Sequence, residues 1–473
     1  MPDPLRLVAA LIVVALGTRL SAWGDETPKS GSKVFPYPAQ ITVLQNGLKV
    51  VAVPFDSPGL VAYWTVVRAG SRNEIEPGKS GFAHFFEHMM FRGTETYPRE
   101  RYNALLKELG ADHNAFTTDD YTAYHILAPA SGLETIMTLE SDRFMNLKYP
   151  VEDFKKEAGA VLGEYNKNAS NPFQTLSEKL RDAAFAVHTY KHSTIGFLQD
   201  VQDMPNQYDY SRQFFDRFYR PENCTLLVVG DVDAKKLAGL AQKYYGSWKH
   251  GSYKAGVPAE PPQQEEKRVA VAWPNPTQPY VYLGYHGPAF SDTEVDLPAL
   301  DLVSQLLFSE AAPLYQKLVV DEQEVDVLFG GAPDHVDPYL FEIAARVKKP
   351  ERVAYVESAI TAALDDLKQT PIAADRLDSV KSHLKYSYAM GLDTAGSVAR
   401  SLAHYLAVAG DSDAVNRLYA VYDRITPDDL RGVARKYFVT SGRTVVILSH
   451  KPTAESTGAT AGGGAGAAAG TGS

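Results

Sequence analysis

Two hydrophobic periodicities alternate along this chain. Runs rich in apolar and β-branched residues, at Ile41 to Val53, Val61 to Ala69, Thr122 to Ala128 and Cys224 to Gly230, predict strands. Between them, apolar positions recur at helical spacing. Phe154, Ala158, Val161, Leu162 and Tyr165 predict a helix over Asp153 to Asn168, stopped by the polar run ending at Pro172, and a further helix is predicted over Ala234 to Tyr245. A polar stretch rich in Pro and Gly follows, Lys249 to Lys267, and reads as a linker. A similar order then returns: strands at Arg268 to Ala272 and Tyr280 to His286, a helix from about Leu297 to Phe308, helices near Glu351 to Gln369 and Ala373 to Leu392, and a closing strand at Thr444 to Ser449. The pattern implies an α+β unit repeated once by a diverged duplication, with the halves at 25–250 and 268–452 and the linker at 251–267.

The two ends follow neither rhythm. Leu7 to Gly17 is an apolar run after Arg6, followed by small residues up to Gly24. It is shorter than the roughly 20 residues a membrane span needs, so 1–24 is expected to be a signal peptide and the protein periplasmic or secreted. An uncleaved amino-terminal anchor is the alternative. Residues 453–473 form a Gly- and Ala-rich tail with too little apolar area to order itself. A net charge of −10 argues against nucleic acid or an anionic membrane surface as partner. The single cysteine, Cys224, excludes an internal disulfide and sits in an apolar strand.

The stretch His84-Phe85-Phe86-Glu87-His88 carries the chemistry. On a helix, positions i and i+4 project one above the other with i+3 beside them, so His84 and His88 form a pair with Glu87 adjacent. Two neutral imidazoles so placed grip a divalent cation, and a carboxylate beside them suits a general base; H-x-x-E-H is a metallopeptidase signature. Zinc fits the nitrogen-rich donors. A catalytic zinc needs a third protein ligand and one open position. Glu157 and Glu164 lie seven apart on the predicted 153–168 helix, hence on one face, and suit a ligand and a carboxylate that orients a ligating histidine. Two glutamates at that spacing are, by themselves, more often a solvated face.

With these residues in place, the chain resembles the pitrilysin/insulinase family of zinc metallopeptidases, in the branch of the mitochondrial and bacterial processing peptidases. Gly81-Phe82-Ala83 and Met89 to Thr94 around the motif agree with that family. So do Gly110 to Thr117, Tyr219 to Asn223 and Val228 to Val232. The resemblance spans roughly Tyr37 to Ser449. It implies two domains, each a mainly antiparallel sheet packed with helices, together forming half of a clamshell. It also implies one zinc ion per chain held by His84, His88 and Glu164, with Glu87 as general base and Glu157 as supporting carboxylate. The stretch Asn114-Ala115-Phe116-Thr117 would be an edge strand that pairs with the backbone of a peptide substrate.

The family further leads one to expect an arginine and a tyrosine in the second half that hold the substrate across the chamber. Anchored on Leu314 to Leu318, those places fall at Val319 and Asp326, neither of which donates the required hydrogen bonds at neutral pH. Arg346 and Tyr339 are nearby but in the opposite order. The expectation is a zinc-dependent endopeptidase acting on short or unfolded peptides, with a paralogous subunit that lacks H-x-x-E-H supplying the Arg/Tyr pair. The alternatives are a non-catalytic scaffold or binding relative and a subunit dedicated to presequence processing.

Overall fold

The structure, a computed structural model, describes residues 33–450; the expected signal peptide and the Gly/Ala tail lie outside them. Among the described residues, eleven strands form two sheets. The first contains β1 (Gln40–Val43), β2 (Lys49–Pro54), β3 (Leu60–Val67), β4 (Asp112–Thr117), β5 (Thr122–Pro129) and β6 (Cys224–Gly230), in the order β1-β2-β6-β3-β5-β4. The second contains β7 (Lys267–Ala272), β8 (Tyr280–His286), β9 (Val325–Gly331), β10 (Leu340–Val347) and β11 (Arg443–Ser449), in the order β7-β11-β8-β10-β9. Apart from β1 the two orders coincide position for position. The single parallel pair of each sheet also falls at the same place, β2 with β6 and β7 with β11. The fold is α+β, built from two similar halves.

Ile41 to Val53 is not one strand but the hairpin β1–β2. Leu44 donates to the Leu48 carbonyl (2.9 Å), and Gly47, at φ +92°, supplies the left-handed residue of the Asn46-Gly47 turn. An Asn-Gly pair between apolar runs is a hairpin signal. The strand β9 and the helices Pro172–Ala184 and Ala395–Val408 fall outside the elements predicted from the sequence.

Those last two helices join the halves. Pro172–Ala184 belongs to the first half yet packs on the second sheet, where Leu176 and Leu180 meet Tyr280, Tyr282, Val446 and Leu448. Ala395–Val408 belongs to the second half and packs on β3 and β6, its Val398, Leu402 and Leu406 against Trp64, Val66 and Leu227. Each sheet is thereby covered on both faces, once by its own helices and once by a helix from the other half. This explains why β6 reads as an unbroken apolar run: every residue of Cys224–Gly230 is buried. An ionic seam runs along the same junction. Arg181 pairs with Asp119 (2.9 Å), His335 with Asp119 (3.0 Å), and His188 and Arg72 with Asp337 (2.9 and 2.6 Å). The 251–267 stretch is irregular up to β7 and tied down by Glu260, which accepts the backbone N–H groups of Ala186, Val187 and His188.

Candidate metal centre

The H-x-x-E-H stretch lies on the helix Phe82–Met89, whose Phe82, Phe85, Phe86 and Met89 are buried against the first sheet and its helices. That leaves the opposite side of the helix to carry His84, Glu87 and His88. Its start is held by two devices. Gly81 is left-handed at φ +92°, and a Cβ there would come within 2.5 Å of the Ile195 carbonyl. The buried Glu74 carboxyl accepts the N–H groups of Gly81 and Ala83, both at 2.7 Å, and so satisfies two donors at the start of the helix. Glu74 was not singled out in the sequence, because nothing local ties it to a helix starting several residues later.

Glu164 and Glu157 come from the helix Val151–Asn168, which packs on the motif helix. Glu164 Oε2 stands 3.7 Å from His84 Nε2 and 3.5 Å from His88 Nε2. One donor atom from each of the three lies within 4.8 Å of the others. Tetrahedral ligands at zinc-like bond lengths are separated by about 3.3 Å, so the donor set is of the right size and chemistry for a small divalent cation. His84 is mostly buried and its Nδ1 has no hydrogen-bond partner among the described residues. Burial, assisted by the neighbouring His88, pushes its pKa down to about 4, which leaves the imidazole neutral and its lone pair available at pH 7. The hydrogen bond with His88 and the nearby His84 hold Glu164 below the usual carboxylate range.

Glu157 does not join this trio. It meets the other ring nitrogen of His88, Nδ1, at 2.9 Å, and is itself paired with Arg92. With Nδ1 engaged by a carboxylate, Nε2 is left facing Glu164 and His84. Arg92 is a second residue the pattern did not reveal, since its role exists only once the two helices meet. Glu87 points aside, toward a cavity of about 300 Å³ lined also by His88, Phe91, Arg92, Arg99 and Glu157. Burial raises its pKa, against the pull of a 2.7 Å hydrogen bond from the Thr117 hydroxyl.

Thr117 ends β4, the outermost strand of the first sheet. Within β4, Ala115 is buried on the side of the motif helix, and its N–H donates to Oδ1 of Asn114 (2.9 Å). Phe116 turns to the opposite face and packs against Trp64 (6.0 Å). In the second half, Val319 lies in the helical segment Gln316–Asp321, and Asp326 on β9 is paired with Arg346 through both carboxylate oxygens (2.7 and 3.0 Å). Tyr339 is 2 % exposed and stacked on His335. Neither Arg346 nor Tyr339 is therefore free to stand in for the missing pair.

A duplicated α+β fold with an inverted histidine–glutamate motif on a helix defines a class of metallopeptidase-like proteins. Residues 50–197 match the insulinase family (peptidase family M16), and residues 207–384 match the M16 inactive domain. The chain belongs to this family. It is 29% identical over 448 residues to the zinc protease PqqE of Helicobacter pylori, covering 93% of this chain and 97% of that one. The crystal structure of a protease from Helicobacter pylori superimposes with a TM-score of 0.81 at 29% identity, over 87% of this chain and all of that one (100%). An M16 inactive domain from Pseudomonas fluorescens shares the fold, with a TM-score of 0.78 at 15% identity over 88% of this chain and 98% of that one.

Proposed function

We propose that this chain is a zinc-dependent endopeptidase acting on short or unfolded peptides, with His84, His88 and Glu164 holding one zinc ion and Glu87 as general base. The observation that carries the reading is the convergence of three donor atoms from two helices within 4.8 Å, with a carboxylate beside them but outside the trio. A scaffold has no use for that set. The zinc proteases among its relatives support the same reading.

When bound, the ion supplies Lewis acidity at the scissile carbonyl and acidifies a water. Glu87 accepts a proton from the attacking water and returns one to the leaving amine. Its burial brings its basicity nearer to neutrality, while the Thr117 hydroxyl fixes its direction. Glu157, braced by Arg92, keeps the His88 ring in the ligating orientation. The open edge of β4, Asn114 to Thr117, pairs with the peptide backbone and delivers it to Glu87. The chain forms half of a clamshell, and a paralogous subunit supplies the arginine and tyrosine that Val319 and Asp326 do not. Among the described residues no helix is long and apolar enough to cross a membrane. With the apolar leader before Gly24, a periplasmic or secreted site of action is proposed.

A quenched fluorogenic peptide tests the chemistry. Turnover should be abolished by a chelator and restored by zinc, and Glu87→Gln should lose about 100- to 10,000-fold in kcat while retaining metal. Unchanged turnover in Glu87→Gln removes it as the base. Full activity of the isolated chain, with no gain from a partner bearing the Arg/Tyr pair, removes the two-subunit requirement.

A further inference from the structure

Strand β4 presents side chains to both faces of the sheet, and the site above uses one of them. Ala115 and Thr117 face the motif helix. Asn114 faces the other way, opposite His125, which in turn stands opposite Trp64 in the register of three adjacent strands. His125 stacks on Trp64 at 4.7 Å. This row opens into a cavity of about 610 Å³ lined by Trp64, His125, Leu127, Tyr388, Leu392 and Arg400. The last three residues come from the second half of the chain, around the end of the helix Ala374–Met390 and along Ala395–Val408. Leu127 is 40% exposed there, a large apolar side chain left uncovered. The Arg400 guanidinium lies over the rings of Trp64 and Phe116, 5.6 and 5.2 Å from their centres, and has no ion-pair partner among the described residues.

A peptide added to the edge of β4 continues the row from Trp64 through His125 and Asn114. Pleating then sends every second side chain over this cavity and the intervening ones toward the motif helix. The cavity sits at the Asp112 end of β4 and Glu87 at the Thr117 end. Those ends are about 17 Å apart at the rise of a strand, so the side chain that enters belongs about three to five residues from the reacting bond.

Resting on the peptidase reading, the geometry points to a distal specificity site: this cavity takes a large apolar side chain, above all an aromatic one, about three to five residues from the bond cleaved. Asp112, on the sheet side, also lines the cavity, and most of the remaining lining is carbon. An aromatic ring gains both burial and the face of the guanidinium, whereas an acidic side chain meets Asp112.

The test uses the full chain with zinc and the partner subunit that bears the Arg/Tyr pair, and a series of peptides that share one cleavage sequence. Gly, Glu, Lys, Leu, Phe and Trp are scanned singly at each position out to six residues on both sides of the bond. At one position, about three to five residues away, Phe and Trp should raise kcat/KM about tenfold over Gly, with Glu and Lys near the Gly value. Ser387→Trp, which fills the cavity from an exposed position, and Leu127→Asp, which charges its wall, should each bring the Phe-to-Gly ratio close to one. A flat scan with cleavage intact overturns the distal site, as does a Phe-to-Gly ratio that neither variant changes. Absence of cleavage in every peptide, with zinc and partner present, overturns the peptidase reading instead.

Discussion

At the residue scale, the centre depends on a division of labour between two carboxylates on one helix. Glu164 and Glu157 are two turns apart on Val151–Asn168, and each engages a different nitrogen of His88. Swapping their duties is not possible without rotating the imidazole. Removing the charge at Glu157 should therefore loosen the His88 ring without removing a donor. Glu157→Gln is expected to bind zinc about 10- to 100-fold more weakly, as read by competition with a chromogenic chelator, while Glu157→Ala should lose more. Equal affinity in both variants and in the parent chain rules out this positioning role. The motif was legible because helical spacing alone brings His84 and His88 together. Glu74, Arg92 and the Thr117–Glu87 bond were not, since each joins segments whose proximity no local pattern encodes.

At the element scale, the exchanged helices make the two halves one packing unit. Leu180 is fully buried, yet its neighbours are strands from the other half, so its truncation empties a core that its own half does not contain. Leu180→Ala should cost about 2–5 kcal/mol in urea unfolding. The transition should remain single, with fluorescence and circular dichroism superimposed, because a loosened Pro172–Ala184 helix uncovers the second sheet and an anchor of the first half together. Two resolved transitions would show that the halves unfold independently. The hydrophobic pattern predicted most strands well, since both-face burial leaves an apolar run. The same runs conceal which helix covers which face, because Val398 and Leu402 satisfy a foreign sheet as well as they would their own.

At the scale of the whole molecule, the ionic seam between the halves gives stability a defined pH window. Although burial works to raise it, hydrogen bonds from His188 and Arg72 hold Asp337 down to about 2. Its contribution, about 2 kcal/mol at most, is present above the unfolded carboxylate pKa and is lost as pH falls toward 2. His335 is shifted the other way. Burial opposes its charge, but the bond to Asp119 and the charges of Asp119 and Asp120 raise its pKa. That stabilisation is complete below the unfolded histidine value and fades as pH rises through the higher folded one. The difference in Tm between the parent chain and His335→Gln should accordingly be larger at about pH 6 than at about pH 9. A difference independent of pH would mean that His335 acts by packing on Tyr339 alone.

From the sequence alone came the repeated α+β rhythm, the helix with its two histidines and glutamate, and the pair of carboxylates two turns apart. These are local quantities, set by periodicity and by side-chain chemistry at fixed spacing. Tertiary structure decided which carboxylate meets which nitrogen, which helix covers which sheet, and that the outer face of β4 opens onto a cavity built from both halves. Those relations join residues far apart in the chain. They are settled by the burial of opposite sheet faces and by the pairing of charges that no short window contains.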